Sequence, residues 1–148
     1  MRKRFEPQLV IGQRPIEETP ISPKCKDSME ELLAALKEIY CNNEYNEKVF
    51  KALEERLLND KKKTGRNGMI LWQIFVLAQV RLCLGISYDR LHNLANNHLA
   101  LRWLMGVEYE YGFNRKVFEY QNIYDNVTML DDELIKELNE IIIEFGHK

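Results

Sequence analysis

After Pro23 the chain has no proline; its four prolines (Pro7, Pro15, Pro20 and Pro23) all lie near the start. Proline fixes φ and removes a backbone donor. Its absence leaves the body free to be helical, and its early clustering predicts an extended, irregular arm over residues 1–27. Cysteine is scarce too. Cys25, Cys41 and Cys83 are widely spaced and form no C-x-x-C, and His92, His98 and His147 complete no metal-ligand pattern with them. That excludes a zinc ribbon or a disulfide scaffold and predicts three reduced thiols. A Gly-rich phosphate loop, G-x-S-x-G and H-E-x-x-H are all missing. Most acids fall in helix-surface pairs such as Glu30-Glu31, Glu54-Glu55 and Asp131-Asp132, and no strands are offered that would gather carboxylates for two-metal chemistry.

Long apolar runs are missing as well. Met69 to Leu84 covers 16 residues and carries Gln73, Gln79 and Arg81, short of the ~20 apolar residues a membrane span requires. The charged opening Met1-Arg2-Lys3-Arg4-Phe5-Glu6-Pro7 leads into no apolar signal region. A cytoplasmic protein with no membrane partner is expected.

What is present suits one helical domain, residues 28–148, behind the arm. The chain has 148 residues, 45% of them apolar, enough for a real core. Ser28 with Glu31 forms a capping box ahead of the stripe Met29, Leu32, Leu33, Leu36, Ile39 and Tyr40. A second helix over 44–58 turns Val49, Phe50, Leu53 and Leu57 inward. The third, Met69 to Leu84, is apolar at 13 of 16 positions, the signature of a helix at the centre of a bundle, and Trp72 within it reads as core. Gly85 fits a left-handed helix stop, Ser87 an N-cap, and residues 88–97 a fourth helix with Leu91, Leu94 and Ala95 inward. Asn96-Asn97-His98 breaks it. A short fifth helix, Leu99 to Met105, carries Trp103, also read as core, and ends at Gly106. The aromatic-rich stretch 107–128, in which Tyr109, Tyr111 and Phe113 alternate, reads as a loop or a short β-hairpin. A last helix runs from Asp131 or Asp132 to Phe145. The fold expected is therefore a mainly α bundle of five or six helices with a helix-turn-helix-like core.

Charge is unevenly placed. The net charge is −2, yet Lys61 to Arg102 holds seven cations against one anion, leaving a net of −8 elsewhere. Such a segment can build a local positive field on a nearly neutral protein. Lys61, Lys62, Lys63 and Arg66 in a loop are candidates for phosphate. Arg90, His92, Asn93 and Asn96 on the outer face of the fourth helix are candidates for base edges, since Arg reads guanine and Asn reads adenine. In a helix-turn-helix the second helix enters the groove. Arg2, Lys3 and Arg4 suggest a minor-groove arm. The aromatics of 109–124 are most simply packing, with stacking on unpaired bases as the functional alternative.

Arg2-Lys3-Arg4-Phe5-Glu6, Gly12-Gln13 and Pro15-Ile16-Glu17-Glu18 resemble the opening of a group of bacterial insertion-sequence transposases. The resemblance continues through Lys62-Lys63-Thr64-Gly65-Arg66, Gly68-Met69, Leu71-Trp72, Val80-Arg81-Leu82, Tyr88-Asp89-Arg90-Leu91 and Leu94-Ala95-Asn96-Asn97-His98. It closes with Tyr124-Asp125-Asn126-Val127 and Gly146-His147. In that family these blocks form a helical N-terminal region, followed by an RNase-H-like domain whose three acids bind two divalent metals. The resemblance implies a transposase fragment ending about where that domain begins. No catalytic acid carries over to this chain, and no cofactor is expected for it; divalent metal belongs to the missing domain. It implies DNA binding and end recognition on double-stranded transposon ends, in the nucleoid-associated cytoplasm. The alternative is a protein-interaction module, a homodimer interface or a dock for the catalytic domain, favoured by the acidic last helix and the proline-bearing arm.

Overall fold

The computed structural model describes residues 4, 15–18, 28–57, 69–107 and 116–146. Within them lie seven α-helices and no strand: α1 (Ser28–Cys41), α2 (Asn43–Leu57), α3 (Leu71–Leu84), α4 (Tyr88–Asn97), α5 (Leu99–Leu104), α6 (Tyr120–Val127) and α7 (Asp132–Gly146). The mainly α bundle is as expected, with one or two helices more. The addition is α6, where a loop or hairpin was expected. Tyr109, Tyr111 and Phe113, whose alternation suggested the hairpin, lie outside the described residues, as do the side chain of Ser28, Cys25 and residues 58–68.

α3 is the axis. Every residue from Leu71 to Val80 is buried. α1 and α2 pack on one side of it and α4 and α6 on another, so its apolar circumference is covered from several directions. Two polar groups in its first turns find partners at the end of α5. Trp72 Nε1 donates to the Leu104 carbonyl at 2.7 Å and Gln73 Nε2 to the Met105 carbonyl at 3.3 Å. The last carbonyls of a helix have no partner within it, so these side chains satisfy acceptors that burial would otherwise penalise. Trp72 is core; Trp103 is only partly buried.

The punctuation read from sequence is largely in place. Gly85 stops α3 at φ 61°, and the Gly85 and Ile86 N–H groups both donate to Arg81 O. The Ser87 hydroxyl accepts from Arg90 N at 3.2 Å to open α4. His98 separates α4 from α5 and caps the latter, its Nδ1 accepting from Leu101 N at 3.2 Å. Asp131 Oδ1 accepts from Leu134 N at 2.7 Å to open α7.

α7 lies along α2. Arg56 near the end of α2 meets Glu133 near the start of α7 at 3.1 Å, and Lys48 meets Glu144 near its end at 3.3 Å, so the two run antiparallel. The Tyr45 and Phe145 rings meet edge to face at 5.0 Å. Part of the acidity that made the last helix look like a docking surface is thus paired within the chain.

The arm is not wholly extended. Ile16–Glu18 form a 3-10 turn directly after Pro15 and pack on α1 and α5. Arg4 is anchored. Its carbonyl accepts from Trp72 N at 3.0 Å, supplying an acceptor that Ile70, the residue before α3, cannot offer from its side chain. Its guanidinium pairs with Glu47 at 2.7 Å, donates from Nε to Glu54 at 2.9 Å, and lies 5.4 Å from the centre of the Phe50 ring. The Arg4 partnership holds the Glu47 carboxyl below the usual carboxylate range. Arg4 therefore serves α2 and α3 in this fold and is not a free arm residue; Arg2 and Lys3 lie outside the described residues.

Candidate nucleic-acid interface

α4 carries three kinds of position. Leu91 and Ala95 are fully buried. One flank, His92 and Asn96, faces the segment leading into α6. Asp89, Arg90, Asn93 and Asn97 are exposed and form a continuous outer stripe at helical spacing.

The flank is engaged with protein. Asn96 Oδ1 accepts from Phe118 N at 2.7 Å, and Asn96 Nδ2 donates to Phe118 O at 2.9 Å and to His92 O at 3.1 Å. The side-chain amide pairs with a backbone unit as a neighbouring strand would. His92 Nε2 lies 2.9 Å from the same Phe118 oxygen. A carbonyl only accepts, so this nitrogen carries the proton, and the two lone pairs of Phe118 O serve both side chains. The His92 ring also meets Tyr120 edge to face at 6.0 Å. Two of the four residues expected to read bases therefore hold α6 in place, while Arg90 and Asn93 stay exposed. Asn97, one turn beyond Asn93, joins them.

Replacing Asn96 with alanine removes both contacts to the Phe118 backbone. A loss of ~2 kcal/mol is expected, about 5 °C in Tm for a chain of this length. Thermal unfolding and duplex binding measured together decide its role. An unchanged Tm with weakened DNA binding would return Asn96 to the reading face.

The cations of the basic segment have separate fates. Arg102 is 1% exposed. Its guanidinium donates to the carbonyls of Ala95 at 2.8 Å, Val107 at 3.4 Å and Lys116 at 2.6 Å, tying together the end of α4, the exit from α5 and the approach to α6. It adds nothing to a phosphate-binding surface. Arg81 is partly buried, its guanidinium 4.2 Å from the centre of the Tyr88 ring. Arg90 is exposed. Lys61, Lys62, Lys63 and Arg66 lie outside the described residues. Met69 rejoins the described chain at the N-terminal end of α3, whereas Arg90 follows its C-terminal end; a 14-residue helix between them is ~20 Å long.

Among the described residues, no group of three or more His, Cys, Asp or Glu could hold a metal ion, and no helix is long and apolar enough to cross a membrane. Cys41 and Cys83 are free thiols, and burial pushes the Cys83 thiol up, away from the reactive thiolate. Comparison with known proteins gives no matching family model, no matching curated protein and no matching solved structure.

Proposed function

We propose that this chain is the DNA-binding, end-recognition region of a bacterial insertion-sequence transposase of the RNase-H-like type, acting on double-stranded transposon ends in the nucleoid-associated cytoplasm. The observation that carries it is charge placement: with the buried Arg102 and the Tyr88-packed Arg81 set aside, five cations (Lys61, Lys62, Lys63, Arg66 and Arg90) still stand against one anion between Lys61 and Arg102. The buried α3, its glycine stop and the Ser87-capped α4 supply a helix pair of the kind that presents a polar face to a groove. On this reading Lys61, Lys62, Lys63 and Arg66 take phosphates, Arg90 and Asn93 reach base edges, and His92 and Asn96 support them from the flank. Strand chemistry, with its divalent metals, belongs to a separate catalytic domain, and no acid of this chain is assigned to it.

Fluorescence anisotropy of a labelled duplex across a salt series tests the reading. Four cations on phosphates would give a slope of log affinity against log salt of about −3.6, at about −0.9 per phosphate contact. Absence of binding at low salt would sink it. The alternative, a dimerisation or docking module, draws on Ile143, which is 58% exposed on α7. Sedimentation over a concentration range addresses it: a strictly monomeric chain counts against a homodimer.

A further inference from the structure

We propose that a tyrosine strip between α4 and α6 is a stacking platform for unpaired nucleobases, next to the outer stripe of α4. The inference rests on the DNA reading above and narrows the target to duplex that also carries unpaired bases.

The strip is built by three helices. Tyr88 is the first residue of α4, Tyr120 the first of α6, and Tyr124 lies one turn further on. The Arg81 guanidinium of α3 covers Tyr88 at 4.2 Å. Tyr88 meets Tyr124 edge to face at 4.9 Å, Tyr124 lies nearly parallel to Tyr120 at 6.3 Å and 16°, and Tyr120 meets His92 at 6.0 Å. Each ring is oriented by its neighbours, and His92 is itself fixed on Phe118 O. Rings held this way lose little freedom when a flat ligand arrives, which favours binding. Tyr120 and Tyr124 nonetheless remain 37% and 41% exposed.

The chemistry selects the ligand. The exposed members are aromatic, with no aliphatic side chain in the strip. The charged residues within four positions of these rings are Arg90 and Lys116 against Asp89, Glu119 and Asp125, and the Arg81 guanidinium over Tyr88 brings the sum to no net charge. A phosphate gains little from such a surface, whereas a base gains from stacking whatever the sequence, because every base has a π-face. The exposed Arg90–Asn93 stripe brings the polyanion to this side of α4; the strip acts on bases that leave the duplex.

The test compares a blunt duplex with the same duplex bearing a five-thymine single-stranded tail, bound by the full chain and followed by anisotropy in ~50 and ~200 mM salt. The wild type is expected to prefer the tailed probe by about tenfold, within the range of one stacked base. Affinity for either probe should fall steeply with salt, but the ratio between them should hold, since stacking releases no counterions. Tyr124→Ala and Tyr120→Ala are expected to remove the preference and leave blunt-duplex affinity in place; Tyr124→Phe should retain it. Circular dichroism establishes that the variants fold. Equal affinity for both probes overturns the platform while leaving duplex binding standing. So does a preference that vanishes with salt, or one that survives both alanine variants. Binding to neither probe overturns the DNA reading and the platform together. Self-association that Tyr124→Ala abolishes, without a tail preference, assigns the strip to a protein partner instead.

Discussion

Arg102→Ala is expected to lower Tm by about 10 °C, the largest effect of any single substitution considered, corresponding to ~4 kcal/mol at about 2–4 °C per kcal/mol. The guanidinium is buried among the carbonyls of Ala95, Val107 and Lys116, which come from three separate stretches of chain. Alanine leaves these acceptors without that donor, each at ~1–3 kcal/mol if water cannot reach it, and opens a void where the side chain packed. Arg102→Lys should recover little, because an ammonium cannot reproduce the fork that spans several acceptors. Scanning calorimetry or urea denaturation measures the difference. A shift within ~0.5 kcal/mol, the range of ordinary surface positions, would mean that Arg102 is not the tie the geometry indicates. Any loss of DNA affinity in these variants should follow the fraction unfolded.

The second large effect concerns binding. Replacing Lys61, Lys62, Lys63 and Arg66 together with alanine is expected to flatten the salt dependence by about 3.6 in log–log slope and to weaken duplex binding near 0.1 M salt by about a thousandfold. The loss should be uniform across duplex sequences, since phosphate contacts position the protein and carry no sequence information. Tm should change little, because a run of charged side chains offers a core no apolar surface to bury. Titrations of wild type and variant against two unrelated duplexes are sufficient. Unchanged affinity at low salt would remove the loop from the interface and leave Arg90 and its neighbours to account for any binding.

The two residue sets differ in how readily their roles can be read from sequence. Features that depend on local chain chemistry were legible. Gly85 is the αL stop, Ser87 is a cap, and the apolar run in 69–84 is the buried axis. Each works within four residues of its own position or through periodicity. What was not legible involves partners far along the chain. Asn96 looks like an outward helix residue until Phe118, 22 positions away, is brought against it. Arg102 looks like a surface cation until carbonyls 7 residues before it and 14 after it close around it. Arg4 reads as part of a basic arm, but its carboxylates are 43 and 50 positions on. α6 was missed for a different reason. Tyr120, Ile123, Tyr124 and Val127 have helical spacing, but Glu119 makes no side-chain cap, and the alternation of Tyr109, Tyr111 and Phe113 just upstream has the period of a strand. The outer face of α4 was half legible: periodicity separates inside from outside and does not distinguish a flank from an open stripe.

The separation of roles on α4 bears on how such a protein diverges. Leu91 and Ala95 belong to the core, and His92 and Asn96 to the junction with α6. Asp89, Arg90, Asn93 and Asn97 are exposed, and exposed positions of this kind usually tolerate exchange within ~0.5 kcal/mol. Mutations in that stripe therefore alter what the surface contacts while the scaffold stays folded. A lineage carrying this domain can change what that stripe contacts one side chain at a time, through intermediates that stay folded, so the scaffold is evolvable at its exposed face.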